Sequence, residues 1–351
     1  MPARPVNPTR KRPRRPASTS AGTRRRRQPA CEGILASSVA DLPLALWPCA
    51  QRTSQWQRHG RFLPESNRHP GKMLPEIARR VIAAYSDPGD LVLDPMCGIA
   101  TTLVEAIHQD RRAIGLELEP RWASLAAQNI TYARGQGAGW QGLVVQDDAR
   151  RLGRGVLDEL VGQVPLIPTS PPYGNATLGD PRGGKGMARA RACEGRRMTA
   201  ADREQATKAP NTCRYGNSSA SVARLRYGTT NDAVTPPPDG RESYLGAMGR
   251  IYSACARMLS PGGYLVLVTK NLRAEGSLRN IAGDTITLCQ QIGLEFQQHI
   301  IALLAALRDD CILARPSYFQ LTHVRQTLAR GERTQLVCHE DVLVFQQPEK
   351  G

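Results

Sequence analysis

The chain has no paired-cysteine motif. Its nine cysteines (Cys31, Cys49, Cys97, Cys193, Cys213, Cys255, Cys289, Cys311 and Cys338) are scattered, and no two stand as Cys-x-x-Cys. That spacing excludes the usual structural zinc site, and the odd number argues against a disulfide framework. Reduced thiols in a cytoplasmic protein are the expectation. The six histidines lack ligand spacing, so no metal is implied. No run of about 18 apolar residues is present, so no transmembrane helix is expected. The first residues are basic but carry no apolar core segment, so they do not read as a secretory signal. The Gly-x-Gly-x-x-Gly fingerprint of nicotinamide dinucleotide folds is missing too.

Positive charge is abundant and uneven. The net charge is +16, with +10 in residues 1–30 and +8 in residues 181–230, so the rest of the chain sums to −2. Two local basic segments on a nearly neutral body are the footprint of a polyanion ligand. Residues 1–30 hold Pro, Arg, Ser and Thr with almost no apolar content, so they read as a disordered basic tail. Residues 174–240 hold Gly, Arg, Ser, Asn and Pro and end in Pro236-Pro237-Pro238. So long a stretch without pattern reads as a flexible insert, a candidate target-recognition loop. The apolar patch from Leu42 to Trp47 suggests no role.

Elsewhere the pattern is regular. Leu74, Ile77, Ala78, Val81, Ile82 and Tyr85 share one face of a helix over 72–86. Leu91–Leu93, Ala113–Leu116 and Leu143–Val145 read as strands, with helices at Thr101–His108 and Pro120–Ala133 between them. Leu166-Ile167 is a weak fourth strand flanked by Pro165 and Pro168, although proline is normally excluded from a central strand. A helical stripe runs from Tyr244 to Leu259, and Pro261-Gly262-Gly263 turns the chain into a strand over Tyr264–Thr269. A helix near Ser277–Ile292 and strands near Leu294–Leu304 and Asp341–Phe345 follow. Strands alternating with helices predict an α/β fold, a parallel sheet with helices on both faces. It divides into residues 31–173, the cofactor half, and 241–351, the second half.

Such sheets bind ligands at the carboxyl ends of their strands. Asp94 ends the first strand there. Gly98 lets a ligand approach the turn, and the following helix offers free N–H groups. Glu117 ends the second strand, where an acid accepts hydrogen bonds from ribose hydroxyls. Asp148 follows the third, in position to accept from an adenine amine.

The run Asp94-Pro95-x-Cys97-Gly98-x-x-Thr101-Thr102 resembles the S-adenosylmethionine motif of the amino-methyltransferases that modify DNA bases, with Ala100 in place of the second glycine. His69-Pro70-Gly71-Lys72-Met73 is similar to the family segment that packs over the methionine end of the cofactor. The resemblance implies a Rossmann-like class I methyltransferase with a mostly parallel seven-stranded sheet, and S-adenosyl-L-methionine as cofactor. It implies cofactor contacts at His69, Gly71, Lys72, Asp94, Pro95, Cys97, Gly98, Thr101, Thr102, Glu117 and Asp148.

After the fourth strand comes Ser170-Pro171-Pro172-Tyr173. The lone pair of an exocyclic base amine is delocalised into the ring, and acceptors on its hydrogens pull the nitrogen toward a tetrahedral state. The Ser170 hydroxyl and the Pro171 carbonyl supply two acceptors, and Pro171 and Pro172 stiffen the turn. Tyr173 offers a stacking face worth roughly 1–3 kcal/mol. In the family, serine at the first position goes with N4 of cytosine, and Asp or Asn with N6 of adenine. The expected partner is double-stranded DNA with the target base flipped out. N6-adenine methylation, RNA base methylation, glutamine methylation of a protein, and an inactive DNA-binding accessory protein are the alternatives. Arg315–Arg333, with Tyr318 and Phe319, is a second candidate for DNA contact.

Overall fold

The computed structural model describes residues 42–69, 71–172, 243–274, 277–316 and 318–349. The basic tail, the 174–240 insert, Pro70 and Tyr173 lie outside the described residues. In chain order the elements are β1 (Leu46–Pro48), α1 (Ser54–Arg58), a 3-10 turn (Pro64–Arg68), α2 (Pro75–Tyr85), β2 (Leu91–Asp94), α3 (Thr101–Ile107), β3 (Arg112–Leu116), α4 (Pro120–Gly135) and β4 (Gly142–Val145). Then come β5 (Val164–Thr169), α5 (Tyr244–Met258), β6 (Leu259–Thr269), β7 (Leu272–Ala274), β8 (Ser277–Arg279), α6 (Ile281–Gln291), β9 (Glu295–Leu303), β10 (Ala305–Arg308), β11 (Cys311–Ala314), α7 (Tyr318–Ala329) and β12 (His339–Gln346).

The main sheet runs β1-β9-β12-β6-β5-β2-β3-β4. All neighbours are parallel except β12, which is antiparallel to β6 and β9. The seven expected strands are joined by an eighth, β1, whose Leu46 pairs with Ile301 at the edge. Three residues are too few to show a period, so the Leu42–Trp47 patch gave no strand signal. The helix expected over 277–292 starts later: Ser277–Arg279 pairs with Leu272–Ala274, and Asn280 caps α6 by accepting from Gly283 N at 3.3 Å.

The sheet buries both faces, which is why its strands read as apolar runs. Val92, Leu166, Val266, Val342 and Val344 meet α2, α3 and α4 on one side. Leu93, Ile167, Leu265, Leu267 and Phe345 meet α5 and α6 on the other. β5 is central and almost wholly buried despite its two prolines. Its register to β6 shifts between Val164 and Leu166, which sets Pro165 in an irregularity, and it shares only the Val92–Leu166 pair with β2. A missing N–H is tolerated where the ladder is already broken.

The sheet runs outward in opposite directions from β2 and β5. The crevice at their carboxyl ends is therefore the switch point where α/β sheets hold ligands. Among the described residues, no helix is long and apolar enough to cross a membrane.

Candidate active site

The turn after β2 is held from within. Asp94 is 3% exposed, and its Oδ1 accepts from Met96 N at 3.1 Å and Thr169 Oγ1 at 2.6 Å. Burial pushes its carboxyl up to about 6, against those hydrogen bonds. Cys97 packs on Gly115 so closely that a Cβ there would lie 2.7 Å from Cys97 Cβ. Gly98 (φ +56) and Ala100 (φ 66) both take the left-handed conformation that glycine favours. Ala100 caps α3, and its methyl is buried in the core beside α2 and α3 rather than in the cleft.

Glu117 follows β3. Its Oε2 accepts from Gly98 N at 2.9 Å and its Oε1 from Glu119 N at 2.8 Å, and burial pushes its carboxyl up to about 7. Each oxygen keeps a lone pair for a ligand hydroxyl. Asp148 is more engaged than the sequence suggests. Burial raises its carboxyl, but hydrogen bonds from Arg150 outweigh this and hold it below the usual range. Its Oδ1 accepts from Arg150 N at 2.9 Å and from Arg150 Nε at 2.9 Å. Asp147 beside it pairs with Arg151 at 3.0 Å and also lines the cleft.

The opposite wall comes from His69 and Gly71–Met73, the segment after the 3-10 turn Pro64–Arg68. His69 is buried, its ring set edge-on against Trp122 with centroids 4.5 Å apart. Burial, with Lys72 adding to it, drives its imidazole down to about 3, so it is neutral. A Cβ on Gly98 would make only an ordinary contact, 3.4 Å from His69 Nε2, so its left-handed φ rather than crowding is what favours glycine there. Lys72 Nζ donates to the His69 carbonyl. Between Ile99 and the 3-10 turn sits Asn129 of α4, which is wholly buried. Its Oδ1 accepts from Leu63 N at 2.9 Å, and its Nδ2 donates to Ser66 Oγ at 2.9 Å and to Ile99 O at 2.9 Å.

Every described candidate except Pro171 lines this one cleft, including Ser170 and Pro172 from the end of β5. Pro171 is buried beside them. Trp122, Asp147, Ile99 and Glu119 also line the cleft and were not found from sequence. The available signal for Trp122 was its place in the first turn of the helix that follows the Glu117 strand end. The residues fit S-adenosylmethionine: the cleft lining is rich in carboxylates, which suits a sulfonium, and the Thr101 hydroxyl on it is buried without a partner among the described residues.

Residues 10–128 match the family described as DNA methylase, N6_N4_Mtase. The chain is 34% identical over 72 residues to the DNA adenine methyltransferase YhdJ of Escherichia coli (strain K12), covering 20% of this chain and 24% of that protein. It is 34% identical over 79 residues to the type II methyltransferase M.XycI of Xanthomonas campestris pv. cyanopsidis, covering 22% and 26%. It is 36% identical over 111 residues to the tRNA (guanine(10)-N2)-dimethyltransferase of Methanocaldococcus jannaschii, covering 31% of each. The matches thus span a quarter to a third of these relatives' own lengths. Among solved structures, TrmN from Thermus thermophilus aligns with a TM-score of 0.40 at 15% identity, over 83% of this chain and 53% of that one.

Proposed function

We propose that the chain, whose residues 10–128 match the DNA methylase family, methylates an exocyclic base amine of DNA. S-adenosylmethionine is the cofactor; when bound, it supplies an electrophilic methyl on a sulfonium. The observation that carries the reading is the shared cleft, in which Ser170 and Pro172 face the same space as Gly98, Glu117 and Asp148.

Each residue has a task in this reading. Glu117 accepts from the ribose hydroxyls of the cofactor, and the Gly98 turn admits its chain. Asp148 or Asp147 accepts from its adenine amine. Neutral His69 and Trp122 wall the site and exclude water. The Ser170 hydroxyl and the Pro171 carbonyl hold the amine hydrogens, and one of these protons passes through them to solvent. No metal is needed for any of these tasks.

The favoured target is N4 of cytosine, on the strength of Ser170, in double-stranded DNA with the base flipped onto Tyr173. The basic segments 1–30 and 181–230 bind phosphates without reading sequence. N6 of adenine is the runner-up, supported by the adenine-methylating relative. An RNA base amine is a second reading, supported by the match to a tRNA methyltransferase. Calorimetry with S-adenosylmethionine, then mass spectrometry of nucleosides from treated DNA and RNA, separates them. Cofactor binding with N4-methylcytosine is the expected result, and absence of cofactor binding overturns the reading.

A further inference from the structure

At the end of β6 stands a lysine to which the proposed methyl transfer gives no task. Lys270 is only 6% exposed, yet among the described residues no hydrogen bond or ion pair within 4 Å reaches its ammonium. Its environment is acidic: burial lowers its pKa, and Glu340 leads the opposing charges, followed by Cys338 and Asp341. Glu340 has a buried Oε2 that also lacks a partner among the described residues. Burying an ammonium without hydrogen bonds costs stability. Such a charge persists where a ligand completes its coordination.

The sheet register places this pair. Thr169 pairs with Leu267, and Asp341 pairs with Thr269. Lys270 and Glu340 each lie one residue beyond the latter pair; β6 borders β5 and its Ser170 turn, and β12 lies one strand further out. Neighbouring strands are about 4.8 Å apart and each residue rises about 3.3 Å, so Lys270, two residues past the level of Ser170, has its backbone about 8 Å from that turn. By strand alternation Lys270 shares the face of Val266 and Val268, towards α2. There Arg58 donates to the carbonyl of Met73, a residue of the cleft wall. The cofactor groups stand at the ends of β2, β3 and β4, on the other side of Ser170. Methyl transfer needs the amine in line and opposite the leaving sulfur. The base must therefore enter from the side of β6 and β12.

We propose that Lys270 is a specificity-determining residue, its ammonium donating to the ring edge of the target base while Glu340 balances its charge. This rests on the proposed function. Next to its amine, cytosine carries two successive acceptors, N3 and O2. Adenine carries one acceptor, N1, and then a C–H. An ammonium with several donors is matched by the first edge and only half matched by the second. Lys270 thereby favours cytosine independently of Ser170.

The test compares the wild type with Lys270→Met and Lys270→Arg. It measures thermal unfolding, S-adenosylmethionine affinity by calorimetry, and N4-methylcytosine formed in mixed-sequence double-stranded DNA. Lys270→Met should stay folded, with Glu340 taking up a proton in place of the lost charge, since burial already raises its pKa. It should bind cofactor within about twofold and lose roughly 10- to 150-fold in kcat/KM for cytosine, the span of a lost charge-assisted hydrogen bond. Lys270→Arg, which keeps the charge, should recover part of that loss. Undiminished transfer by Lys270→Met overturns the proposal. So does a markedly lower melting temperature in Lys270→Met that Lys270→Arg restores without restoring transfer, which makes the lysine a structural ion. Wild-type product consisting of N6-methyladenine alone overturns the cytosine contact. A wild type that binds no cofactor removes the proposed function and this assignment together.

Discussion

The Thr169 hydroxyl donates to the Asp94 carboxylate across 2.6 Å, joining the two motif-bearing turns. Asp94 ends the strand of the cofactor turn, and Thr169 immediately precedes the Ser-Pro-Pro turn. The bond ties the two turns together at the carboxyl ends of β2 and β5. Thr169→Val keeps the shape and removes the donor. It should raise the Asp94 pKa above its present value of about 6 and cost about 1–3 kcal/mol of stability. Urea unfolding measured across pH reads both effects, and unchanged values for both would show that the turns are not coupled through this bond.

Glu117 should show its environment in pH dependence. Its folded pKa of about 7 lies above the ordinary glutamate value of 4.5, so the stability it contributes is present below about 4.5 and is lost as pH rises through about 7. Glu117→Gln removes that loss. Relative to wild type, the variant should gain up to about 3 kcal/mol between pH 4.5 and pH 8. It should also bind S-adenosylmethionine about 1.5–3 kcal/mol more weakly, being without the charged acceptor. Urea midpoints of both proteins at the two pH values read the first effect, and a pH-independent difference would contradict it.

Asn129→Leu should unfold at lower urea by about 2–4 kcal/mol. The change strands the part-buried Leu63 N–H and the buried Ile99 carbonyl, at about 1–3 kcal/mol for each unsatisfied group. Because Ile99 lines the cleft, cofactor affinity should fall as well. Retained affinity in a destabilised variant would confine Asn129 to a folding role.

Gly115→Ala should be costly although alanine suits a strand. The new Cβ would meet Cys97 Cβ at 2.7 Å and Cys97 Sγ at 2.8 Å. Overpacking of this kind costs about 1–3 kcal/mol, and here it displaces the turn that admits the cofactor. Thermal unfolding combined with cofactor calorimetry tests this, and a variant with wild-type values in both would show that the turn yields freely.

Deleting residues 1–30 should flatten the salt dependence of DNA binding. Each phosphate that the tail neutralises accounts for about 0.9 of the log–log slope. Filter binding or fluorescence anisotropy across salt concentrations gives the slope, and an unchanged slope would assign the tail to something other than DNA.

The sequence by itself determined the order of strands, the strand-end acids Asp94, Glu117 and Asp148, and the Ser170-Pro171-Pro172 turn. These signals are local: an apolar run, a turn residue and an acid within ten residues of one another. Only the tertiary structure decided the rest. It paired Leu46 with Ile301, which no period of three residues announces. It admitted Pro165 to a central strand at a register shift and Pro168 where β5 pairs with β6 but not with β2. It engaged Asp148 with Arg150, joined Asn129 to Leu63, Ser66 and Ile99, and set Lys270 opposite Glu340 in the sheet register. Several of these relationships join residues far apart in the chain, and the rest turn on where side chains point, so they arise from sheet register and burial rather than from any pattern along the sequence.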